Sequence, residues 1–271
     1  ELNDFLPADL RGRSFTVNFE GRQSVKHLIE ALGAPHTEVD LILVNGCSAD
    51  FTQIVEHGDR VAVYPVFEAF DIAPLSRVRP EPLRRPRFAA DAHLGRLAAY
   101  LRMAGFDTVY QPQLDDEQLA RLAASERRIV LTRDRDLLKR RSVTHGLYLR
   151  ESNPRAQLKE VLERFHLERR LAPFTRCLRC NGLLEPVTKE QAAGAVPPRS
   201  WTAADEFRRC RGCRHIYWNG SHLRRMRNLL AQIIGSFKDG IQRPDTETPL
   251  YQSLSSPSGG GGKTSADTGS D

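Results

Sequence analysis

Four of the five cysteines fall in two CxxC pairs, Cys177-Leu178-Arg179-Cys180 and Cys210-Arg211-Gly212-Cys213, and this spacing constrains the fold more than any other feature. Two such pairs supply the complete tetrahedral four-thiolate shell that zinc takes in structural sites. A closed shell leaves no open position for chemistry, so the expected role is structural. A unit this small has little core, and zinc contributes ~10–16 kcal/mol to the folding of comparable ones. Twenty-nine residues separate Cys180 from Cys210, more than a minimal ribbon needs, so an inserted loop is expected. Redox-active dithiols are the other use of CxxC. With four thiolates available, His215 is not expected to be a ligand. Cys47 stands alone and is expected to be a buried apolar residue. Cysteines used for metal rather than disulfides point to a reducing, cytoplasmic setting. Glu1-Leu2-Asn3-Asp4 carries no apolar stretch, so no signal peptide is expected. No run approaches the ~20 apolar residues of a membrane span.

The formal net charge of +6 hides an asymmetry. Residues 1–76 hold 5 basic and 12 acidic groups, whereas residues 139–229 hold 20 and 8. A basic block of that size attracts polyanions through counterion release, nucleic acid being the commonest. A solvated arginine-rich surface is the plainer reading of the same charges.

The acidic head, residues 1–73, reads as a small α+β unit. Residues 14–19 (Ser-Phe-Thr-Val-Asn-Phe) alternate as a half-buried strand does. Ser24 is placed to N-cap a helix with Val25, Leu28, Ile29 and Leu32 on one face, and Gly33 to stop it. Val39–Val44 is an expected strand, followed by the tight-turn pair Asn45-Gly46, and Arg60–Pro65 is another. Asp40-Leu41-Ile42-Leu43-Val44-Asn45-Gly46 with Gly58-Asp59-Arg60-Val61 resembles the ubiquitin-like β-grasp of the sulfur carriers in thiamine and molybdopterin synthesis. Those carriers end in an exposed Gly-Gly, whereas this chain continues through Val66-Phe67-Glu68-Ala69-Phe70. The resemblance therefore implies an interaction module or structural appendage rather than sulfur carriage. Residues 74–87, with Pro74, Pro80, Pro82, Pro86 and five arginines, read as a linker.

Residues 88–170 alternate strands with helices, which predicts an α/β unit: a parallel sheet with helices on both faces. The expected strands are Arg87–Ala90, Thr108–Tyr110, Arg128–Thr132 and Gly146–Leu149. The helices begin near Leu94, at an Asp115/Gln118 capping box, and at Pro154. Residues 171–235 form the expected ribbon and a basic helix. Residues 243–271, rich in Pro, Ser, Thr and Gly, are expected to be disordered.

Acidic residues gather at the ends of the expected strands. Asp91 follows the first strand of the sheet, and Asp134 and Asp136 follow the third; Asp115, Asp116 and Glu117 begin a helix. In an open parallel sheet, residues past the strand ends line one crevice. Two carboxylates ~4 Å apart repel by about 4 kcal/mol at an effective dielectric of 20, so a cluster there needs a cation. Oxygen ligands favour Mg²⁺ or Mn²⁺. Such an ion activates water and stabilises the leaving oxygen of a phosphodiester. Helix capping is the competing role for Asp115, Asp134 and Asp136. A third motif, His215-Ile216-Tyr217-Trp218-Asn219-Gly220-Ser221-His222 followed by Arg224, Arg225 and Arg227, interleaves aromatics with arginines, as base stacking and phosphate contact require. Packing against the ribbon is the alternative for Tyr217 and Trp218. His222 reads as a proton donor, a phosphate ligand or a core histidine.

Phe88-Ala89-Ala90-Asp91, Leu94–Ala98, Leu101–Gly105, Leu131–Asp134, Cys177–Asn181 and Tyr217–His222 together are similar to the Mut-seven carboxy-terminal RNase family, a PIN-like nuclease domain with a zinc ribbon. The resemblance implies metal-dependent RNA cleavage leaving 5′-phosphate and 3′-hydroxyl ends. It puts Asp91, Asp134 and Asp136 in the acidic-site roles with Mg²⁺ or Mn²⁺; Asp115, Asp116 and Glu117 compete for a further acid on a middle helix, and Asp116 is taken for it. Arg96, Arg133, Arg135, Trp218, His222, Arg224 and Arg225 are the expected RNA contacts, and the RNA is tRNA, rRNA or mRNA. The rival expectation is a noncatalytic RNA- or ribosome-binding protein. A third is an adaptor that engages a protein partner through the β-grasp head.

Overall fold

The structure is a computed structural model and describes residues 2–65, 76–78 and 86–240. Pro74, Pro80, Pro82, the Val66–Phe70 stretch and the 243–271 tail lie outside the described residues.

The N-terminal unit comprises β1 (Gln23–Ser24), α1 (Val25–Ala31), β2 (Val39–Val44), β3 (Cys47–Ala49), β4 (Ile54–Val55) and β5 (Val61–Pro65). The Ser24 hydroxyl accepts the His27 N–H and caps α1 as its sequence requires. Asn45 and Gly46 both take positive φ (52° and 82°), the conformation a two-residue hairpin needs to match strand twist. They join β2 to β3, and β2 also pairs antiparallel with β5. Residues 14–19 correct one expectation. They alternate in exposure but join no ladder among the described residues. Cys47 is a second correction: it is exposed, at the edge of the hairpin rather than in the core.

The middle unit runs β6 (Phe88–Ala90), α2 (Gly95–Met103), β7 (Thr108–Tyr110), α3 (Asp116–Ser125), β8 (Ile129–Thr132), α4 (Arg135–Lys139), β9 (Gly146–Tyr148) and α5 (Pro154–Arg164). Its four strands are parallel in the order β7-β6-β8-β9. The middle strands β6 and β8 are buried along their length, as expected of a sheet covered on both sides. Phe88 and Ala90 face α2 and α5, in a cluster with Leu97, Leu101, Leu158 and Leu162. Ala89 and Val130 face α3 and α4, with Leu119, Ala123, Leu137 and Leu138. The helix after β6 and the helix after β8 therefore lie on opposite faces. The carboxyl ends of those two strands are therefore the switch point of the sheet, the place at which such sheets bind ligands.

The C-terminal unit holds β10 (Leu184–Val187), α6 (Pro198–Ala203), β11 (Phe207–Cys210), β12 (Ile216–Trp218) and α7 (Ser221–Gly240). Its strands form an antiparallel sheet in the order β10-β11-β12. The insertion between the cysteine pairs is more than a loop: it is a helical lobe with a core of Ala192, Val196, Ala204, Phe207 and Ile216. Leu230 and Ile233 of α7 return to the α2/α5 face of the parallel sheet. No helix among the described residues is long and apolar enough to cross a membrane.

The N-terminal unit is seated on β9. The 3-10 turn His36–Glu38 lies against that strand. Glu38, 1% exposed, accepts the Tyr148 N–H at 2.7 Å and lies 3.6 Å from the buried Arg164 and 3.9 Å from Arg150. His36 joins Glu30 of its own unit (2.7 Å) to the Val143 carbonyl (2.8 Å), and Asp4 accepts from Arg150 at 2.9 Å. Removing one member of a buried ion pair leaves the other charge uncompensated, at a cost of about 3–5 kcal/mol. Glu38→Leu is expected to lower urea stability by roughly that amount and to speed amide exchange at Tyr148; Glu38→Gln, which keeps an acceptor, should cost less.

Candidate functional site

The switch point is organised by one hydroxyl. Thr132, the fully buried last residue of β8, donates its Oγ1–H to Asp91 Oδ2 at 2.6 Å and accepts the Asp134 N–H at 2.9 Å. The Asp91 N–H in turn bonds the Leu131 carbonyl, fixing the end of β6 beside that of β8. Asp91 and Asp134 are thus tied to one side chain at the ends of adjacent strands. Both also cap: Asp91 Oδ1 accepts the Ala92 N–H, and Asp134 Oδ1 accepts the Asp136 N–H at the start of α4.

The other expected acids stand apart from this pair. Asp136 has its side chain 91% exposed, 3.7 Å from Lys139. Asp116 lies 3.8 Å from Arg140. Asp115 is the N-cap of α3 in a full capping box with Gln118. Among the described residues, no three of these carboxylates converge within 4.8 Å; the four cysteines are the group that does. The reason is local: N–H groups at helix starts claim oxygens of Asp91, Asp115 and Asp134, while Asp116 and Asp136 turn toward Arg140 and Lys139. Mg²⁺ usually takes only one or two protein carboxylates, with water and substrate phosphate completing its octahedron. Asp91 and Asp134, all-oxygen donors at one switch point, fit that requirement.

At the ribbon, Cys177 and Cys213 sulfurs are 3.6 Å apart and those of Cys180 and Cys210 3.3 Å. A tetrahedral site with Zn–S ~2.3 Å puts sulfurs about 3.8 Å apart, so donor type, number and spacing fit zinc. Burial pushes the Cys213 thiol up to about 12 and raises that of Cys210. Burial opposes ionisation of Cys180 too, but the Gly182 N–H and the Cys210 and Cys213 thiols hold it at about 6. Four thiolates in this space need a cation. Gly182 has no substitute here, since a Cβ on it would lie 2.9 Å from Cys210 Sγ. The Tyr217 hydroxyl touches Cys177 Sγ at 3.2 Å and accepts the Leu178 N–H. His215 packs edge-on against Tyr217 rather than joining the sulfur group.

Two residues fix the ribbon to the parallel sheet, and sequence reasoning gave neither a role. Asn181, in the left-handed region (φ 68°), accepts the Thr108 N–H at the outer edge of β7 and donates to Asp107 Oδ1 at 2.8 Å. Arg102, buried in α2, donates to the carbonyls of Thr108, Leu178 and Arg179. Burial draws its pKa down, while Cys177 and Cys180 pull it back up. The signal for both was only their place in matched motifs; their partners lie more than seventy residues away.

The expected RNA contacts divide. Arg96, Arg133, His222, Arg224 and Arg225 are exposed. Trp218 is partly buried against the core of the inserted lobe, so packing is its role in the fold. Arg135 is exposed but stacks on Phe5 of the N-terminal unit and on Tyr148.

Comparison with known proteins adds two findings. A family model described as the Mut7-C RNAse domain matches residues 86–230, and one described as Mut7-C ubiquitin matches residues 1–71. No curated protein and no solved structure matches significantly.

Gly182→Ala is expected to lower zinc affinity at least about tenfold, read by competition with a chromogenic chelator. Asp107 gives a pH test. Burial opposes its ionisation, but hydrogen bonds from Arg128 and Asn181 and the charge of Arg176 hold its carboxyl below the ordinary 3.8. A carboxyl depressed in the folded state stabilises above its unfolded pKa, and that contribution fades as pH falls through the folded value. The stability gap between wild type and Asp107→Asn should be full near pH 7 and shrink progressively as pH falls below the ordinary 3.8, measured by urea unfolding.

Proposed function

This chain belongs to the Mut7-C RNAse family, and on that premise we propose that it is a metal-dependent ribonuclease whose site is at the carboxyl ends of β6 and β8. The observation that carries the reading is the Asp91–Thr132–Asp134 tie: at the switch point of a parallel sheet, one buried hydroxyl donates to the Asp91 carboxylate and accepts the Asp134 backbone N–H. Asp91 and Asp134 hold Mg²⁺ or Mn²⁺. Asp116 and Asp136 belong to the rim, where their partners are Arg140 and Lys139. Held by Asp91 and Asp134, the ion would supply Lewis-acid activation of water and neutralisation of charge on the phosphodiester, and the expected products are 5′-phosphate and 3′-hydroxyl ends. The chain's own part is positional. Thr132 holds Asp91 against rotation, the α4 backbone holds Asp134, and Arg133 and Arg135 flank Asp134 where they can grip the RNA backbone. Zinc at the four cysteines is structural. Arg96 and the exposed His222, Arg224 and Arg225 extend the contact surface, and the cytoplasm is the setting.

A second reading has its own observation. The acids do not converge as a group of three, which favours a noncatalytic RNA- or ribosome-binding protein. The two readings separate on metal. In the ribonuclease, Asp134→Asn should lower kcat by roughly a hundredfold or more, given the several kcal/mol a bound divalent ion contributes, while RNA binding persists. Calorimetric titration should show Mn²⁺ uptake that Asp91→Asn and Asp134→Asn abolish. Unchanged turnover of Asp134→Asn in a nuclease-free preparation would rule out this site.

A further inference from the structure

We infer that Phe5 of the ubiquitin-like unit is a positioning residue for Arg135, so that the N-terminal unit forms a wall of the RNA site. The inference rests on the site placement proposed above, and it concerns how RNA is held there rather than how it is cut.

Arg135 opens α4 between Asp134, whose carboxylate caps that helix, and Asp136. Its guanidinium carbon lies 5.1 Å from the centroid of Phe5 and 5.3 Å from that of Tyr148. The two rings meet edge to face with centroids 5.4 Å apart. Phe5 is buried in the core of its own unit, so its ring is a fixed surface. A second guanidinium, that of Arg150, lies 5.5 Å from the same ring. The two arginines differ in their other partners. Arg150 is pulled toward Asp4, Glu38 and Glu160. Among the described residues, no carboxylate lies within ion-pair distance of Arg135.

Arg135 therefore carries an uncommitted charge, held by two aromatic rings at an exposed position beside the candidate acids. Stacking on a ring leaves the guanidinium N–H donors free to form paired bonds to a phosphodiester. An arginine already confined to one place also loses less side-chain freedom when it binds. The ubiquitin-like unit, docked on β9 through Glu38 and His36, brings Phe5 to this point.

The test is a double-mutant cycle on the full chain, read by fluorescence anisotropy with a short fluorescein-labelled single-stranded RNA and no added divalent ion. Phe5→Leu keeps apolar burial and removes the ring face; Phe5→Tyr keeps the ring. Phe5→Leu and Arg135→Ala are each expected to weaken binding roughly two- to fivefold. The double variant should bind no worse than Arg135→Ala alone, and Phe5→Tyr should match wild type. In cleavage assays Phe5→Leu should raise KM and leave kcat within about twofold. If Phe5→Leu unfolds by circular dichroism, Phe5→Met, which also keeps apolar volume without the ring, carries the same cycle. Additive losses, or wild-type binding by Arg135→Ala, would overturn the inference. Wild-type protein that binds RNA but does not cut it would sink the ribonuclease reading and leave this one standing. Wild-type protein that binds no RNA overturns both.

Discussion

A short parallel sheet with two open edges is the constraint on which the rest of this molecule depends. Its outer strands β7 and β9 each present backbone N–H groups with no neighbouring strand to take them, and such groups are costly to bury and hazardous to expose. Each appended unit answers one edge with a side chain. Asn181 of the ribbon accepts the Thr108 N–H on β7, and Glu38 of the ubiquitin-like unit accepts the Tyr148 N–H on β9. Neither unit is a loosely tethered accessory. The carboxylate on β9 is the more exacting of the two, since a buried charge is tolerated only with its countercharges beside it, here Arg150 and Arg164.

The same logic joins the metal-type site to the sheet. A tetrathiolate zinc centre carries net negative charge, and the buried guanidinium nearest its knuckle is Arg102, bonded to the Leu178 and Arg179 carbonyls. Arg102 and Asn181 thus couple the cysteine cluster to α2 and β7, and so to the sheet whose carboxyl ends hold Asp91 and Asp134. Between these ribbon contacts on β7 and the Asp91–Thr132 bond lie only the parallel pairings of β7, β6 and β8.

What the sequence disclosed follows from the range of the forces involved. Ser24, the Asn45-Gly46 turn and the Asp115/Gln118 box are settled within four residues, and all three are as their chemistry requires. The parallel sheet follows from strands alternating with helices. Residues 14–19 have the period of a strand but join no ladder, because periodicity reports a half-buried face and says nothing of a neighbour. Cys47 was misjudged because residue type outweighed its place at a hairpin edge. Asp91 and Asp134 directly follow β6 and β8, as the alternation of strands and helices implies, but whether the acids converge is not legible in sequence: helix starts compete for the same oxygens, and that competition is decided in three dimensions. Glu38 and His36 gave no signal, since their partners lie more than a hundred residues away.

The lobe between the two cysteine pairs has a consequence of its own. Both of its stems are clamped at the sulfur cluster, and its small core of Ala192, Val196, Ala204 and Phe207 packs against Ile216 and Trp218 of β12. Once the stems are clamped, lengthening the span between them carries only a slowly growing entropic penalty. The lobe is therefore the segment in which additions and deletions can accumulate over evolution without disturbing the parallel sheet, and a natural port for grafting a tag or a foreign recognition element.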